Sequence, residues 1–134
     1  MRKKRKRKPS GPPMAVIEED ADDIYSIKFI LQSLGHDVRS YSYHQDFMAD
    51  LVDFQPKVVI VDMMIPDGHG FDVIKQVKSY LSQVPILAIT ADAMEGSEKQ
   101  VLKAGGEDTL GKPYTVGDLQ DKLAQWVTIE KAEG

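Results

Sequence analysis

Short apolar runs alternate with helix-period stretches from Met14 onward. Met14-Ala15-Val16-Ile17 is too short for a helix and reads as a buried strand. Asp22 to Leu34 follows, with Ile24, Ile27, Ile30, Leu31 and Leu34 on one face and Gly35 as a natural stop. Asp37 to Tyr41 is a second, weaker strand, and Ser42 is placed to cap a short helix carrying Phe47, Leu51 and Phe54. Lys57 to Val61 is the clearest buried strand, and it ends at Asp62. The loop Ile65-Pro66-Asp67-Gly68-His69-Gly70 leads to a helix with Val73, Ile74, Val77 and Leu81. Pro85 to Thr90 is another buried strand, and a helix runs from about Met94 to Ala104 before Gly105-Gly106. A short strand from Asp108 to Gly111 precedes Lys112-Pro113, and a last helix carries Val116, Leu119, Leu123, Trp126 and Val127.

Five strands alternating with five helices predict an α/β fold, a doubly wound parallel sheet covered by helices on both faces with right-handed crossovers. The chain's 134 residues, 42% of them hydrophobic, suit one soluble domain able to close a single core. No apolar run approaches the roughly 18 residues needed to span a bilayer, so no membrane association is expected. Zero cysteines exclude disulfides, thiolate zinc sites and a cysteine nucleophile, and a reducing cytoplasmic location fits.

The formal net charge of -4 hides two opposed parts. Arg2 to Lys8 are seven consecutive basic residues; setting them aside leaves ten basic against 21 acidic residues, a net of -11 for residues 9–134. A body that acidic repels phosphate, so nucleic acid is not expected as a partner except through the basic arm. Residues 1–13 read as a disordered basic arm, because like charges repel and Ser10-Gly11-Pro12-Pro13 will not propagate a strand or helix; the domain proper is 14–130.

The polar residues fall where the strands end. Glu18, Glu19 and Asp20 follow the first strand, Asp62 ends the third, Thr90 the fourth and Lys112 the fifth. In an open parallel sheet the carboxyl ends of the strands line the ligand crevice. Clustered carboxylates repel unless a cation sits among them, and oxygen donors without His or Cys suit Mg²⁺, or Mn²⁺, better than zinc. A carboxylate beside such an ion can attack phosphorus and form an acyl phosphate, with an ammonium and a hydroxyl neutralising the phosphoryl oxygens. His36, His44 and His69 lie at helix ends or in loops without metal-ligand spacing, and read as solvated.

Four pieces, taken together, resemble a response-regulator receiver domain of the chemotaxis type: Val16-Ile17-Glu18-Glu19-Asp20, Val61 to Gly68 with Gly70, Ala88-Ile89-Thr90-Ala91, and Gly111-Lys112-Pro113. The resemblance covers Met14 to Val127 and implies a flavodoxin-like sheet of strand order 2-1-3-4-5. It implies that Asp62 is the phosphoacceptor, taking a phosphoryl group from a histidine on a sensor kinase or phosphotransfer protein. It implies that Glu19, Asp62 and the backbone carbonyl of Met64 hold Mg²⁺ with Glu18 supporting through water, and that Thr90 and Lys112 bind the phosphoryl oxygens. Lys112-Pro113 is expected in cis. The segment Thr90 to Gly96 with Ala104-Gly105-Gly106 is most similar to receivers of hybrid kinases and of single-domain phosphorelay regulators. A downstream target protein is the implied output partner.

Three features depart from the family pattern. Glu19 stands where Asp is usual, one methylene longer. A shifted register would make Glu19-Asp20 the acidic pair, but it would place Glu18 inside the strand, so Glu18-Glu19 is preferred. Thr109 occupies the fifth-strand position where an aromatic switch residue is expected, three residues before Lys112, and Tyr114 lies where receivers commonly meet partners. Two rival functions stand against this reading. A degenerate receiver acting as a phosphorylation-independent binding module is countered by Asp62, Thr90 and Lys112. An aspartyl-phosphate phosphatase needs a second carboxylate two residues after the nucleophile, where Met64 stands. The expected chemistry is therefore self-phosphorylation and slow self-dephosphorylation on Asp62 alone, not turnover of a substrate.

Overall fold

The computed structural model describes residues 11–18, 21–51, 53–63, 70–91 and 95–127. Its elements run β1 (Gly11–Ile17), α1 (Ala21–Ser33), β2 (His36–Tyr41), α2 (His44–Asp50), β3 (Val58–Asp62), α3 (Gly70–Tyr80), β4 (Ile86–Thr90), α4 (Glu95–Ala104), β5 (Asp108–Gly111) and α5 (Val116–Leu123). The five strands form one sheet of order β2-β1-β3-β4-β5 with every neighbouring pair parallel. This is the doubly wound fold that the alternation predicts.

The central strands β3 and β4 are buried at every residue, as parallel strands covered on both faces must be. Their alternate side chains feed two separate cores. Val59 and Val61 join Phe47, Ile74, Val77 and Val101 on the face covered by α2, α3 and α4. Val58 and Ile60 join Ile27, Leu31, Leu119 and Leu123 on the face covered by α1 and α5. Gly35 (φ 90°) and Gly105 (φ 111°) turn the chain out of α1 and α4 in the left-handed region that glycine enters without strain. Glu107 brackets the start of β4: one oxygen accepts from the Ile86 amide at 2.5 Å, and the other pairs with Lys78 of α3.

Four expectations need correction. First, β1 begins at Gly11, three residues before the apolar run. Gly11 N donates to Gly35 O at 2.9 Å and Lys57 N donates to Pro13 O at 2.7 Å, and proline is tolerated at the start of a strand because it owes no donor there. Residues 1–10, the rest of the expected arm, lie outside the described residues. Second, the N-cap of α2 is Tyr43, with no side-chain cap bond, so Ser42 lies one residue too early. Third, α5 stops at Leu123, and the amides of Trp126 and Val127 both turn back to Leu123 O. Fourth, His36 is not solvated. It is 1% exposed within β2, its Nδ1 donating to Pro12 O at 3.0 Å. His44 is half-buried at the start of α2, and His69 lies outside the described residues.

Candidate functional site

Three of the parallel strands end together, and the ladder fixes how they end. Asp62, the last residue of β3, is paired with Ile89 of β4, and Met63 N donates to Ile89 O at 2.7 Å. Thr90, the last residue of β4, is paired with Gly111 of β5. Lys112 N then donates to Thr90 O at 2.8 Å, which holds Lys112 one residue beyond the sheet beside its neighbour strand. The Lys112-Pro113 peptide is cis.

Four apolar residues carry Asp62 into the fold, and it remains only 4% exposed. A carboxylate so deeply placed is costly unless a cation or donors face it. Lys112 meets this need: its Nζ lies 2.6 Å from Asp62 Oδ2. Glu18 follows β1 directly and is 3% exposed, its amide donating to Tyr41 O at 2.9 Å. Glu18, Asp62 and Lys112 all line one cavity of about 550 Å³, walled beyond them by Ser26 and Ile30 of α1 and by Tyr114. Thr90, 8% exposed, ends the strand next to Asp62.

The strand ends thus bring Glu18, Asp62, Thr90 and Lys112 to one edge of the sheet. Glu19 and Met64, the other expected metal ligands, lie outside the described residues, as does Asp20. Among the described residues no three carboxylate or imidazole groups gather round one point. Thr109 is half-buried in β5, paired with Ala88, so two small side chains meet where an aromatic ring was expected. Tyr114 is also half-buried, packed against the α1–α5 core and facing the cavity. Ser26 was not anticipated. Its only signal is a hydroxyl one position before Ile27, on the helix that covers the cavity.

The donor set fits a hard divalent cation. Two buried carboxylates, Glu18 and Asp62, share a cavity in which, among the described residues, Lys112 is the facing cation and no imidazole lines it.

The chain matches the family profile described as the response regulator receiver domain over residues 14–124. It is similar to the transcriptional regulatory protein GltR of Pseudomonas aeruginosa, 30% identical over 85% of this chain and 48% of that protein. It is also similar to the tetrathionate response regulatory protein TtrR of Salmonella typhimurium, 31% identical over 87% of this chain and 57% of that one. The chain thus spans about half the length of the curated relatives it matches. Among solved structures, chemotaxis protein CheY4 of Vibrio cholerae superposes with a TM-score of 0.79 at 20% identity, covering 86% of this chain and 98% of that one. The receiver domain of sensor histidine kinase PA1611 of Pseudomonas aeruginosa, which holds magnesium in its active site cleft, superposes with a TM-score of 0.76 at 25% identity. It covers 87% of this chain and 98% of that one.

Proposed function

Because the chain belongs to the response-regulator receiver family, we propose that it is a working phosphoacceptor receiver, taking a phosphoryl group from a phosphohistidine onto Asp62. The observation that carries this reading is the Asp62–Lys112 pair, a buried carboxylate held against an ammonium at the edge of a cavity. A degenerate receiver would have no reason to bury that charge at the mouth of a pocket.

The step is an in-line displacement. One Asp62 carboxylate oxygen attacks phosphorus, and the phosphorus–nitrogen bond to the donor imidazole breaks. The electron pair leaves with the ring nitrogen, which takes a proton from water. Lys112 neutralises charge on the transferring phosphoryl oxygens, and the Thr90 hydroxyl donates a hydrogen bond to one of them. Asp62, Glu19 and the Met64 carbonyl would hold Mg²⁺, with Glu18 acting through water. When bound, the ion supplies further neutralisation of phosphoryl charge. Turnover is limited to gain and slow loss of this one group.

The partners in this reading are a histidine kinase or histidine phosphotransfer protein and, on the output side, a protein that reads the altered surface. A cytoplasmic location follows from that donor chemistry. No described helix is long and apolar enough to cross a membrane. The deciding experiment is intact mass after incubation with acetyl phosphate and Mg²⁺. Wild type should gain one phosphoryl group, while Asp62→Ala and wild type in excess chelator should gain none. Equal labelling of Asp62→Ala would overturn the assignment.

A further inference from the structure

At the sheet edge opposite Asp62, β1 enters the fold under one buried imidazole. Gly11 pairs with His36 and Met14 with Val38, so three steps along β1 face two along β2. The extra residue makes a bulge, and Pro12 and Pro13 within it have no amide to give. Besides the strand ladder, this stretch is held by Gly11 N to Gly35 O, Lys57 N to Pro13 O and His36 Nδ1 to Pro12 O, three bonds. The last is the only side-chain bond of the three. The approach is close, because a Cβ at Gly11 would lie 2.7 Å from His36 Nδ1.

A carbonyl only accepts, so Nδ1 carries the proton and the neutral ring leaves a lone pair on Nε2. That Nε2 is buried and has no hydrogen-bond partner among the described residues. The ring lines a cavity of about 970 Å³ bounded by the prolines of β1, Leu34 after α1, Lys57 before β3, Gln83 before β4 and Trp126 after α5. Among the described residues Lys57 is the one other ionisable group along that wall, and as a cation it opposes a second positive charge. Neighbouring Asp37 is exposed, its side chain on the other face of β2.

We propose that His36 is a proton-operated clasp: neutral, it fastens the Gly11–Pro13 entry of β1 to the sheet, and protonated, it lets that entry go. A proton on Nε2 creates a buried N–H with no acceptor, which the ring satisfies only by turning out into the cavity toward water. Turning out breaks the bond to Pro12 O and leaves the bulge on backbone bonds alone. Burial holds the imidazole below its ordinary value of 6.5, partly offset by the Pro12 bond. A depressed histidine stabilises the closed form above the unfolded value, and that contribution is lost as pH falls through the folded one. The clasp is therefore shut at neutral pH and opens in mild acid. The seven basic residues Arg2 to Lys8 precede this stretch in the sequence, so in this reading acidity governs how the segment that follows them is held.

The test is amide hydrogen exchange on the full chain, read by NMR from about pH 7.5 to about pH 5, the range a histidine can report. Corrected for intrinsic rates, protection at Gly11 and Lys57 should fall about tenfold relative to Val59, whose amide bonds Pro85 O in the core. The fall should share its midpoint with the His36 ring titration, below 6.5. His36→Phe, which keeps a ring but cannot titrate, should show a constant ratio. Constant protection in wild type, a ring titrating at or above 6.5, or an acid response persisting in His36→Phe would each overturn the clasp. If His36→Phe does not fold, the wild-type midpoints decide: coincidence supports the proposal, and separation defeats it.

Discussion

Lys112 Nζ stands 2.6 Å from Asp62 Oδ2, with the lysine side chain 24% exposed and the aspartate 5%. The pair is lopsided: the ammonium keeps partial access to water, and the carboxylate has little. Removing either partner is therefore not equivalent.

Lys112→Met should cost about 1–3 kcal/mol in urea unfolding with chelator present, because a buried carboxylate loses its cation. Asp62→Asn should cost less, since the lysine retains a route to solvent. Combining the two should recover much of the Lys112→Met loss. A double variant as unstable as the sum of the singles would mean the two groups do not act as a pair.

The order of the acidic residues after β1 is open to a direct comparison. Glu19→Gln and Asp20→Asn each remove one negative charge, so any difference reports geometry. Titration with Mg²⁺ should show much weaker binding for Glu19→Gln. Greater damage from Asp20→Asn would establish the shifted register.

Thr115 opens α5 three residues after Lys112. Its hydroxyl accepts from Asp118 N at 3.0 Å, while Asp118 Oδ2 accepts from Thr115 N at 2.9 Å, a complete capping box. Thr115→Ala should lower stability by about 1 kcal/mol in thermal or urea melts. Phosphoryl labelling of Asp62 should be unaffected, and loss of labelling would show that this cap also positions Lys112.

Thr109 beside Ala88 offers no large ring to turn, so activation should travel through backbone after β4. A phosphoryl group brings roughly -1.5 to -2 of charge, by analogy with phosphorylated hydroxyl residues, within reach of Thr90 and Lys112. Amide shifts with and without a phosphoryl mimic should change over residues 90–96 and at the start of α4. Changes confined to the neighbours of Asp62 would refute this route. A ~100-fold population change would require about 2.7 kcal/mol of differential affinity.

The common placement of Asp62, Thr90 and Lys112 was legible because Asp62 and Thr90 each end an apolar run and Lys112 directly follows the short fifth strand, and parallel strands carry such residues to one edge. Five strands and their order followed from alternation and resemblance for the same reason. His36 was not legible. Its sequence neighbours are Gly35 and Asp37, and what buries it comes from Pro12, 24 residues earlier, and from the turn after α5, some 90 residues later. The same distance effect hides the early start of β1, since Gly11 and Pro13 gain backbone partners from Gly35, His36 and Lys57, far along the chain. Trp126 misleads in the other direction: it keeps helical spacing and packs on the α1–α5 core, yet the helix has already ended.

β1 reaches from His36 at one rim of the sheet to the carboxylates at the other. At ~3.3 Å of rise per residue, its seven residues keep the two rims roughly 20 Å apart. Direct electrostatic influence across that span is screened at ordinary ionic strength. Under the two proposals above, the phosphoryl site and the proton site therefore lie at opposite ends of one strand. Each can be set without erasing the other, so acid and phosphoryl donor should act as independent inputs on a single small body.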